Sequence, residues 1–330
     1  MVDRKCNYGS HKTTIGGFIN LLKNKVKAYN LHYCIYQSQQ AHMQQSKDRL
    51  EDGALIIHMD FSENMECIVQ EEVSSNYYSR SKVSLFTAVI YRLDNGILRH
   101  QSHVVASDDI SHGLCHVLLA LREIRKLASG DEECGYEQSQ KATLWNPFEN
   151  ARIVHFFSDG ARQHFKNKSA LWFLSHHRDL FGCEATWSFT ASGHGKSACD
   201  GVGGVLKSAL RRFALRENKC RANNEGIVMN ARSVRDWNIQ KYTNFVSHIQ
   251  VGLLLKHDLL RFREEFTNAI SGAARRVPDV STYHHFTCQR PGVIRCHKTA
   301  LVGCSNVSTI DAADCENLVN SLKMRLNATR

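Results

Sequence analysis

Three aspartates lie where a folded sheet can bring distant chain segments together. Asp60 and Asp159 each follow a short apolar run typical of a buried strand, and Asp200 begins a helix predicted after a third such run. These residues are 99 and 41 positions apart, yet sheet topology can place them in one cleft. Clustered carboxylates need counter-charge, and their oxygens suit Mg²⁺ or Mn²⁺. The alternative is that each acid only begins a turn or caps a helix.

A site of this composition is typical of phosphoryl transfer. Two divalent ions about 4 Å apart can hold the attacking and leaving oxygens of an in-line displacement. We therefore predict that the three aspartates are both the catalytic residues and the metal ligands. Basic and imidazole side chains beside two of them are expected to contact phosphate, DNA or water: Arg162, Lys166, Lys168, His194 and Lys196. The helix start after Asp159 adds backbone N–H groups that favour an anion, although an ordinary solvated helix face has the same composition.

The loop before Asp200 also permits a nucleotide-binding interpretation. Gly195, Lys196 and Ser197 match the end of the P-loop pattern G-x-x-x-x-G-K-[ST], but Thr190 stands at the first glycine position. The loop also follows the last predicted strand of the core rather than the first. A P-loop-like nucleotide-binding protein is therefore a further alternative.

Cysteine and histidine residues allow two weaker interpretations. A zinc site would use Cys288, Cys296, His297 and Cys304, whose spacings lack the paired C-x-x-C or H-x-x-x-H arrangement of structural zinc sites. A thiol nucleophile would pair Cys199 with His194, but no residue is indicated as its orienting group or oxyanion donor. Buried small side chains are the expected fate of most of the twelve cysteines.

The elements that must position these residues follow from hydrophobic periodicity and turn signals. Short apolar or β-branched runs predict strands at 54–59, 66–72, 82–92, 98–107, 152–158, 184–191 and within 283–300. Three- and four-residue periodicity predicts helices at 13–50, 111–130, 162–180, 200–217 and 246–266. Asn95-Gly96 is a strong hairpin signal. The core order is β-β-β-α-β-α-β-α, which predicts an α/β fold with a mixed sheet and helices on its faces.

We expect three parts along the chain. Residues 1–53 form a helical N-terminal arm, 54–218 the catalytic core, and 219–330 a mainly helical C-terminal extension with a short strand pair around Pro291-Gly292. The 330 residues suffice for a large buried core and exclude a disordered tail, a collagen-like chain or a small disulfide scaffold.

Charge is distributed unevenly along the chain. Up to Gly160 there are 17 basic and 19 acidic side chains, whereas the remainder has 25 and 13. This asymmetry favours a polyanionic partner for the C-terminal half, with an anionic membrane surface or a simple solubility charge as the weaker alternatives. No signal peptide and no apolar run of membrane-spanning length is present, so we expect no membrane partner and reduced thiols inside the cell.

Several segments together resemble the transposase-derived proteins of invertebrate genomes. The segments are HMDFSEN (58–64), KVSLFTAVIYR (82–92), SDD-SHG (107–113), FFSDGARQHFKNKSALWFL (156–174) and ATWSFTASGHGKSACDGVGGVLK (185–207). Those proteins carry an integrase-like catalytic core of the ribonuclease H fold and the DDE/DDD kind. The resemblance covers residues 54–218 well and continues loosely through the strand pair at 283–300.

The resemblance implies a ribonuclease-H-like mixed sheet and a specific assignment of the acids. The first acid ends strand one, the second ends strand four and the third lies on the helix after strand five, positions held here by Asp60, Asp159 and Asp200. The third is Asp rather than the commoner Glu, and Glu63 and Asp108 are the reserve candidates. The implied activity is metal-dependent hydrolysis of a DNA phosphodiester and transfer of the 3′-hydroxyl to a new strand.

The resemblance also sets the expected partners and place of action. We expect DNA as the partner of the basic half, a nuclear location that follows from that substrate alone, and compatibility with a homo-oligomer. The DNA-reading module found upstream in full transposases is not recognisable, so we expect a fragment or a degenerate or domesticated copy. The alternative function is accordingly a catalytically inactive relic that still binds DNA or protein.

Overall fold

The computed structural model describes residues 12–66, 81–129, 148–195, 197–220, 230–241, 248–301, 305–311 and 315–327. The described residues form an α/β fold with a large mixed sheet and helices on both of its faces. The predicted fold class is confirmed at this level. Among the described residues no helix is long and apolar enough to cross a membrane.

The described helices and strands are numbered in chain order. The helices are α1 (Ile15–Asp48), α2 (Leu114–Ser129), α3 (Lys168–Ser175), α4 (His177–Phe181), α5 (Ala198–Cys220), α6 (Ala231–Lys241), α7 (Lys256–Ala273) and α8 (Glu316–Asn327). The strands are β1 (Ala54–Glu66), β2 (Lys82–Asp94), β3 (Ile97–Ser107), β4 (Ile153–Ser158), β5 (Glu184–Phe189), β6 (Ile249–Leu254), β7 (His285–Arg290), β8 (Val293–His297) and β9 (Ser305–Thr309).

The nine described strands form one sheet in the order β6-β3-β2-β1-β4-β5-β7-β8-β9. The first three strands are an antiparallel meander, whose β2–β3 hairpin turns at Asn95-Gly96 with φ values of 52° and 76°. Positive φ at both central residues is the geometry that Asn-Gly favours. β4 then pairs parallel to β1, and β5 pairs parallel to β4. Because β1, β4 and β5 run parallel, their carboxyl-terminal ends point toward the same end of the sheet.

Apolar side chains alternate between the two faces of the central strands. On β1, Leu55, Ile57 and Met59 belong to the large core beneath α2, α3, α7 and α8, whereas Ile56 lies on the opposite face with Phe157. That second face is covered further along the sheet by α5 and α6. The period of two on strands buried on both sides explains why the sequence reads as nearly continuous apolar runs.

The helix predicted at 13–50 is present as α1, but its two halves differ in burial. In the C-terminal half of α1, Gln39 is buried and its side-chain amide donates to the backbone oxygens of Phe189 and His284, both at 3.0 Å. The N-terminal half exposes apolar side chains that include Ile15 and Phe18. The helix is therefore anchored to the sheet by its second half.

The C-terminal extension differs from the prediction. The helix predicted at 246–266 is instead β6 followed by α7, because Ile249 and Val251 are buried beside β3 and fill the edge of the sheet. Gly252 allows this close packing, since a Cβ there would lie 3.0 Å from Leu127 Cδ1. The extension thus supplies four strands to the sheet, rather than being mainly helical with one strand pair, although β7 and β8 match the predicted pair.

Two smaller predictions also change. The helix predicted at 162–180 is two short helices separated at His176, whose φ and ψ of −103° and 10° are not helical. The strand predicted at 66–72 lies outside the described residues except for Glu66, which ends β1.

Candidate functional site

The register of the sheet brings Asp60 and Asp159 to neighbouring strands. The last pair in the β1–β4 ladder is His58 with Phe157; Asp60 follows two residues later within β1, and Asp159 comes directly after the last residue of β4. Asp60 does not end its strand as predicted, because β1 continues to Glu66 along β2, where Asp60 pairs with Thr87. The Thr87 hydroxyl donates to the Asp60 backbone oxygen at 3.0 Å and so fixes this point of the strand.

Asp200 reaches the same region from the first turn of α5. The backbone N–H of Ser197 donates to Asp200 Oδ2 at 2.8 Å, so this carboxylate also caps its own helix. The Cys199 thiol is fully buried and donates to the backbone oxygen of His58 at 3.1 Å. The start of α5 is therefore fastened to β1 two residues before Asp60. The prediction that Asp200 lies at the start of the helix is correct.

The charges of Asp159 and Asp200 both act on Asp60. Burial raises the pKa of Asp60 to about 7, with further raising by the charges of Asp159 and Asp200 and a smaller opposing effect of the Phe61 N–H. Burial also raises the pKa of Asp159, opposed by the N–H of Ala161 and by His164. A bound cation would favour the ionised form of each acid, so the donor set fits a hard divalent ion.

The spacing of the trio bears on how such an ion would be held. Among the described residues, the group of three whose ligand atoms all lie within 4.8 Å of one another is His176, Asp311 and Cys315, not the aspartates. The ligands of two ions about 4 Å apart spread more widely than those of one ion. The three aspartates do not form a group of this compactness among the described residues.

Two lysines predicted to bind phosphate have other partners in the fold. Lys166 is 5% exposed, and its Nζ donates to the backbone oxygen of Ser281 at 3.2 Å. Burial lowers the pKa of Lys166 to about 8, with a smaller contribution from Arg162. Lys168 Nζ donates to the backbone oxygen of Ser271 and ties α3 to α7. Because the chain covers its ammonium group, the DNA contact predicted for Lys166 has no support from its position in the fold.

The other residues predicted to contact phosphate, DNA or water are Arg162, His194 and Lys196. Arg162 is exposed at the turn after Asp159. His194 is exposed, and its ring centroid lies 4.2 Å from that of Tyr36 and 5.1 Å from that of His32, both on α1. Lys196, which the phosphate-binding and P-loop interpretations share, lies outside the described residues.

An aromatic and histidine cluster beside Asp159 escaped the sequence reasoning. The ring of Phe61 stacks on His112 with centroids 4.1 Å apart and also contacts His116 and His164 at about 5 Å. His164 is the member that interacts with the Asp159 charge, and burial lowers its pKa. The SHG segment at 111–113 was the available signal, but only the fold shows that its histidine faces β1.

A cavity of about 510 Å³ opens next to this cluster and carries basic side chains. Arg162, Lys168 and Arg263 line it together with His112 and His116. Arg263 already has a partner within the chain, because its guanidinium donates to Asp109 Oδ1 at 3.3 Å. The ring of His112 lies 5.3 Å from that of His164, which connects the cavity wall to the residue beside Asp159. Anionic groups are the ligands that this lining favours.

Other candidates from the sequence take structural roles. Asp108 Oδ1 accepts a hydrogen bond of 2.7 Å from the N–H of Ala231 and caps α6, while Glu63 is exposed on β1. Burial raises the pKa of the Cys199 thiol to about 12, which makes it a poor nucleophile and removes the pairing with His194.

The zinc site predicted on the C-terminal strands is not supported by its described members. Cys296 is fully buried, and burial raises its pKa to about 11, while the Cys288 thiol donates to the backbone oxygen of Ser175 at 3.3 Å. Cys304 lies outside the described residues.

Comparison with known proteins gives a family without a described function. A family model described as a domain of unknown function, DUF8701, matches residues 39–131 and 136–300. The chain belongs to this family. A search among curated proteins finds no match.

The solved structure of NurA bound to dAMP and manganese aligns with 95% of this chain and 62% of that one, at 10% identity and a TM-score of 0.17. This chain therefore spans less than two thirds of that protein. A likeness of this degree carries no argument about fold or function.

Proposed function

We propose that the chain is a transposase-like, ribonuclease-H-like enzyme that cuts or transfers DNA phosphodiesters with Mg²⁺ or Mn²⁺. The observation that carries the proposal is that the charges of Asp159, at the end of β4, and Asp200, at the start of α5, add to burial in raising the pKa of Asp60 on β1. Acids that only cap separate turns would not be expected to lie close enough to change one another's pKa. The order of β1 to β5 and α5 supports the ribonuclease-H-like core, to which the remaining strands add at both edges of the sheet.

Asp60, Asp159 and Asp200 would hold the ions. When bound, divalent ions lower the pKa of water and stabilise charge on the attacking and leaving oxygens. The chain itself keeps Asp60 half-buried, so that its carboxylate would be stabilised in its ionised form by a cation, and orients Asp159 through the Ala161 N–H at 3.1 Å. Neutral His164, whose pKa is lowered by burial, lies where it can accept or return a proton beside Asp159.

The basic cavity supports a polyanionic substrate. Arg162, exposed at its rim, and Arg263 can contact phosphate groups, whereas Lys166 is unavailable because it is buried against Ser281. Such contacts make affinity for DNA fall steeply with salt concentration. We therefore assign substrate binding to the arginines and the cavity histidines rather than to Lys166.

The test is nicking of supercoiled DNA by the full chain with and without Mn²⁺. Asp60→Asn and Asp159→Asn are expected to lose nicking by about 100-fold or more, since each removes a carboxylate of the shared site. Asp94→Asn is the matched control. Asp94 pairs with Arg99 at the hairpin, seven residues along β2 from Thr87, or about 20 Å away.

The control must nick like the wild type, and all variants must still bind DNA in a gel-shift assay. Nicking that is absent, independent of metal or equal in the aspartate variants overturns the enzymatic proposal. If DNA binding survives in that case, the chain is the catalytically inactive relic. Nucleotide binding that depends on Lys196 would instead indicate the P-loop alternative.

A further inference from the structure

A second cluster of metal-ligand types lies away from the aspartate site, at the break between α3 and α4. His176 Nε2 is 2.9 Å from Asp311 Oδ1, and with Cys315 Sγ the three ligand atoms lie within 4.8 Å of one another. His176 and Cys315 are 4% and 6% exposed, while Asp311 is half-buried. The residues come from three segments, of which the first two are 135 positions apart.

The other nitrogen of His176 is oriented as in metal-binding histidines. Nδ1 lies 3.3 Å from Asp179 Oδ2, one helical turn further along the chain. A histidine that donates its second N–H to a carboxylate presents the opposite nitrogen as a lone pair. With Nδ1–H donating to Asp179, the lone pair of Nε2 faces the Asp311 carboxylate. Two electron-rich atoms at that distance require either a proton or a metal ion between or beside them.

The backbone leaves room for the Asp311 carboxylate in particular. Gly292, at the β7–β8 turn with φ of +74°, has no Cβ, and a Cβ there would overlap the carboxylate group of Asp311. The Ile310 N–H donates to the Gly292 backbone oxygen at 2.8 Å and holds the two segments together. Glycine therefore serves both the turn and the close approach of the ligand.

We propose that His176, Asp311 and Cys315 bind a zinc ion that joins the start of α8 to the α3–α4 junction. One nitrogen, one sulfur and one oxygen ligand suit Zn²⁺, whereas Mg²⁺ and Mn²⁺ prefer oxygen. Cys315 immediately precedes α8, where the helix N-terminus favours a thiolate. Water would supply the fourth ligand of a tetrahedral Zn²⁺. The proposal is independent of the proposed function.

The test is titration of the metal-free full chain with Co²⁺, which substitutes for Zn²⁺ and reports a bound thiolate by a near-ultraviolet charge-transfer band. One equivalent is expected to give this band, and Zn²⁺ is expected to displace it. Cys315→Ser should abolish the band, and Asp311→Asn should weaken Co²⁺ binding by about 10-fold or more. Cys34→Ser, at an exposed thiol on α1, is the matched control and should retain the wild-type titration.

A wild-type chain without the thiolate band, or one whose band persists in Cys315→Ser, overturns the proposal. In that case the His176–Asp311 contact is an ion pair alone. If Cys315→Ser fails to fold, Asp311→Asn and the stoichiometry of the wild type still decide. Retention of the Co²⁺ affinity in Asp311→Asn likewise counts against the site.

Discussion

The aspartate site and the His176 cluster collect ligands by different means. Asp60 and Asp159 come together because β1 and β4 are parallel and in register, and both side chains are oxygen donors of one type. His176 and Asp311 come together through a helix break and a segment following the last described strand, with a sulfur donor added by Cys315. The first arrangement depends on the centre of the fold, and the second on contacts among its connections.

The comparison separates two properties that determine which ion a site binds: the chemistry of the donor atoms and the distances between them. The carboxylates are hard donors, and burial together with the charges of Asp159 and Asp200 raises the pKa of Asp60. The mixed cluster is compact, and its imidazole lies between the carboxylates of Asp179 and Asp311.

The largest expected effect concerns the pH dependence of the aspartate site. The pKa of Asp60 is raised in the folded chain, so the folded state holds a proton that the unfolded state loses above about pH 4. The free energy of unfolding should therefore fall as pH rises from about 4 to 7, by on the order of 4 kcal/mol for this group. Asp60→Asn should remove that part of the slope in urea titrations without metal.

Saturating Mn²⁺ should also remove the slope, because the ion favours ionised Asp60 in the folded state. The comparison of wild type with Asp60→Asn cancels the opposite effect of histidines such as His58, whose pKa is lowered to about 4 mainly by burial. Parallel pH curves for the two proteins would show that the fold does not raise the pKa of Asp60. The electrostatic difference between the two clusters would then be lost.

The next effect tests the fit of Asp311 against Gly292. Ala at position 292 adds both an unfavourable positive φ and a clash with the carboxylate. We expect Gly292→Ala to destabilise the chain by about 2 kcal/mol and to weaken Co²⁺ binding. Gly96→Ala has nearly the same φ, +76°, but open space around the new Cβ, so it should cost only about 1 kcal/mol and leave Co²⁺ binding unchanged.

Thermal unfolding and the Co²⁺ titration of these two variants separate backbone strain from ligand displacement. Equal losses of stability, with metal binding unaffected in both, would show that the closeness of Gly292 to Asp311 has no role in holding the ligand.

Much of the central sheet could be predicted from local patterns. The apolar runs of β1, β4 and β5 and the Asn95-Gly96 turn indicate strands by their own composition, because both faces of the central strands are buried. The extension of β1 to Glu66 could not be predicted, since its polar residues are ordered by pairing with β2. β6 was mistaken for helix because Leu253 and Leu254 also fit a helical period.

The candidate sites also combine features that local sequence patterns predict with features that depend on tertiary contacts. The positions of Asp60 and Asp159 follow from strand order, which the sequence indicates. The burial of Lys166 depends on Ser281, which lies 115 residues away. The grouping of His176 with Asp311 depends on a helix break within a run that is helical in its periodicity. Such contacts are set by tertiary packing, and no spacing in the sequence reports them.

The smallest expected effect tests whether α5 must lie close to β1 to present Asp200. A Cβ on Gly203 would lie 2.5 Å from Ser62 Oγ and 3.0 Å from Ser62 Cβ, whereas one on Gly204 meets no neighbouring atom within 4 Å. Both glycines lie inside α5, where Ala is the better helix former. Gly204→Ala should therefore stabilise the chain slightly, while Gly203→Ala should cost about 1 kcal/mol by pushing the helix from the strand.

Because Asp200 lies one turn before Gly203, the displacement should also reduce Mn²⁺-dependent nicking, with DNA binding retained. The Co²⁺ titration of the His176 cluster should not change in either variant, since α5 contributes none of its ligands. If Gly203→Ala nicks as well as Gly204→Ala, the close contact of α5 with β1 does not position Asp200, and the third carboxylate belongs to the helix cap alone.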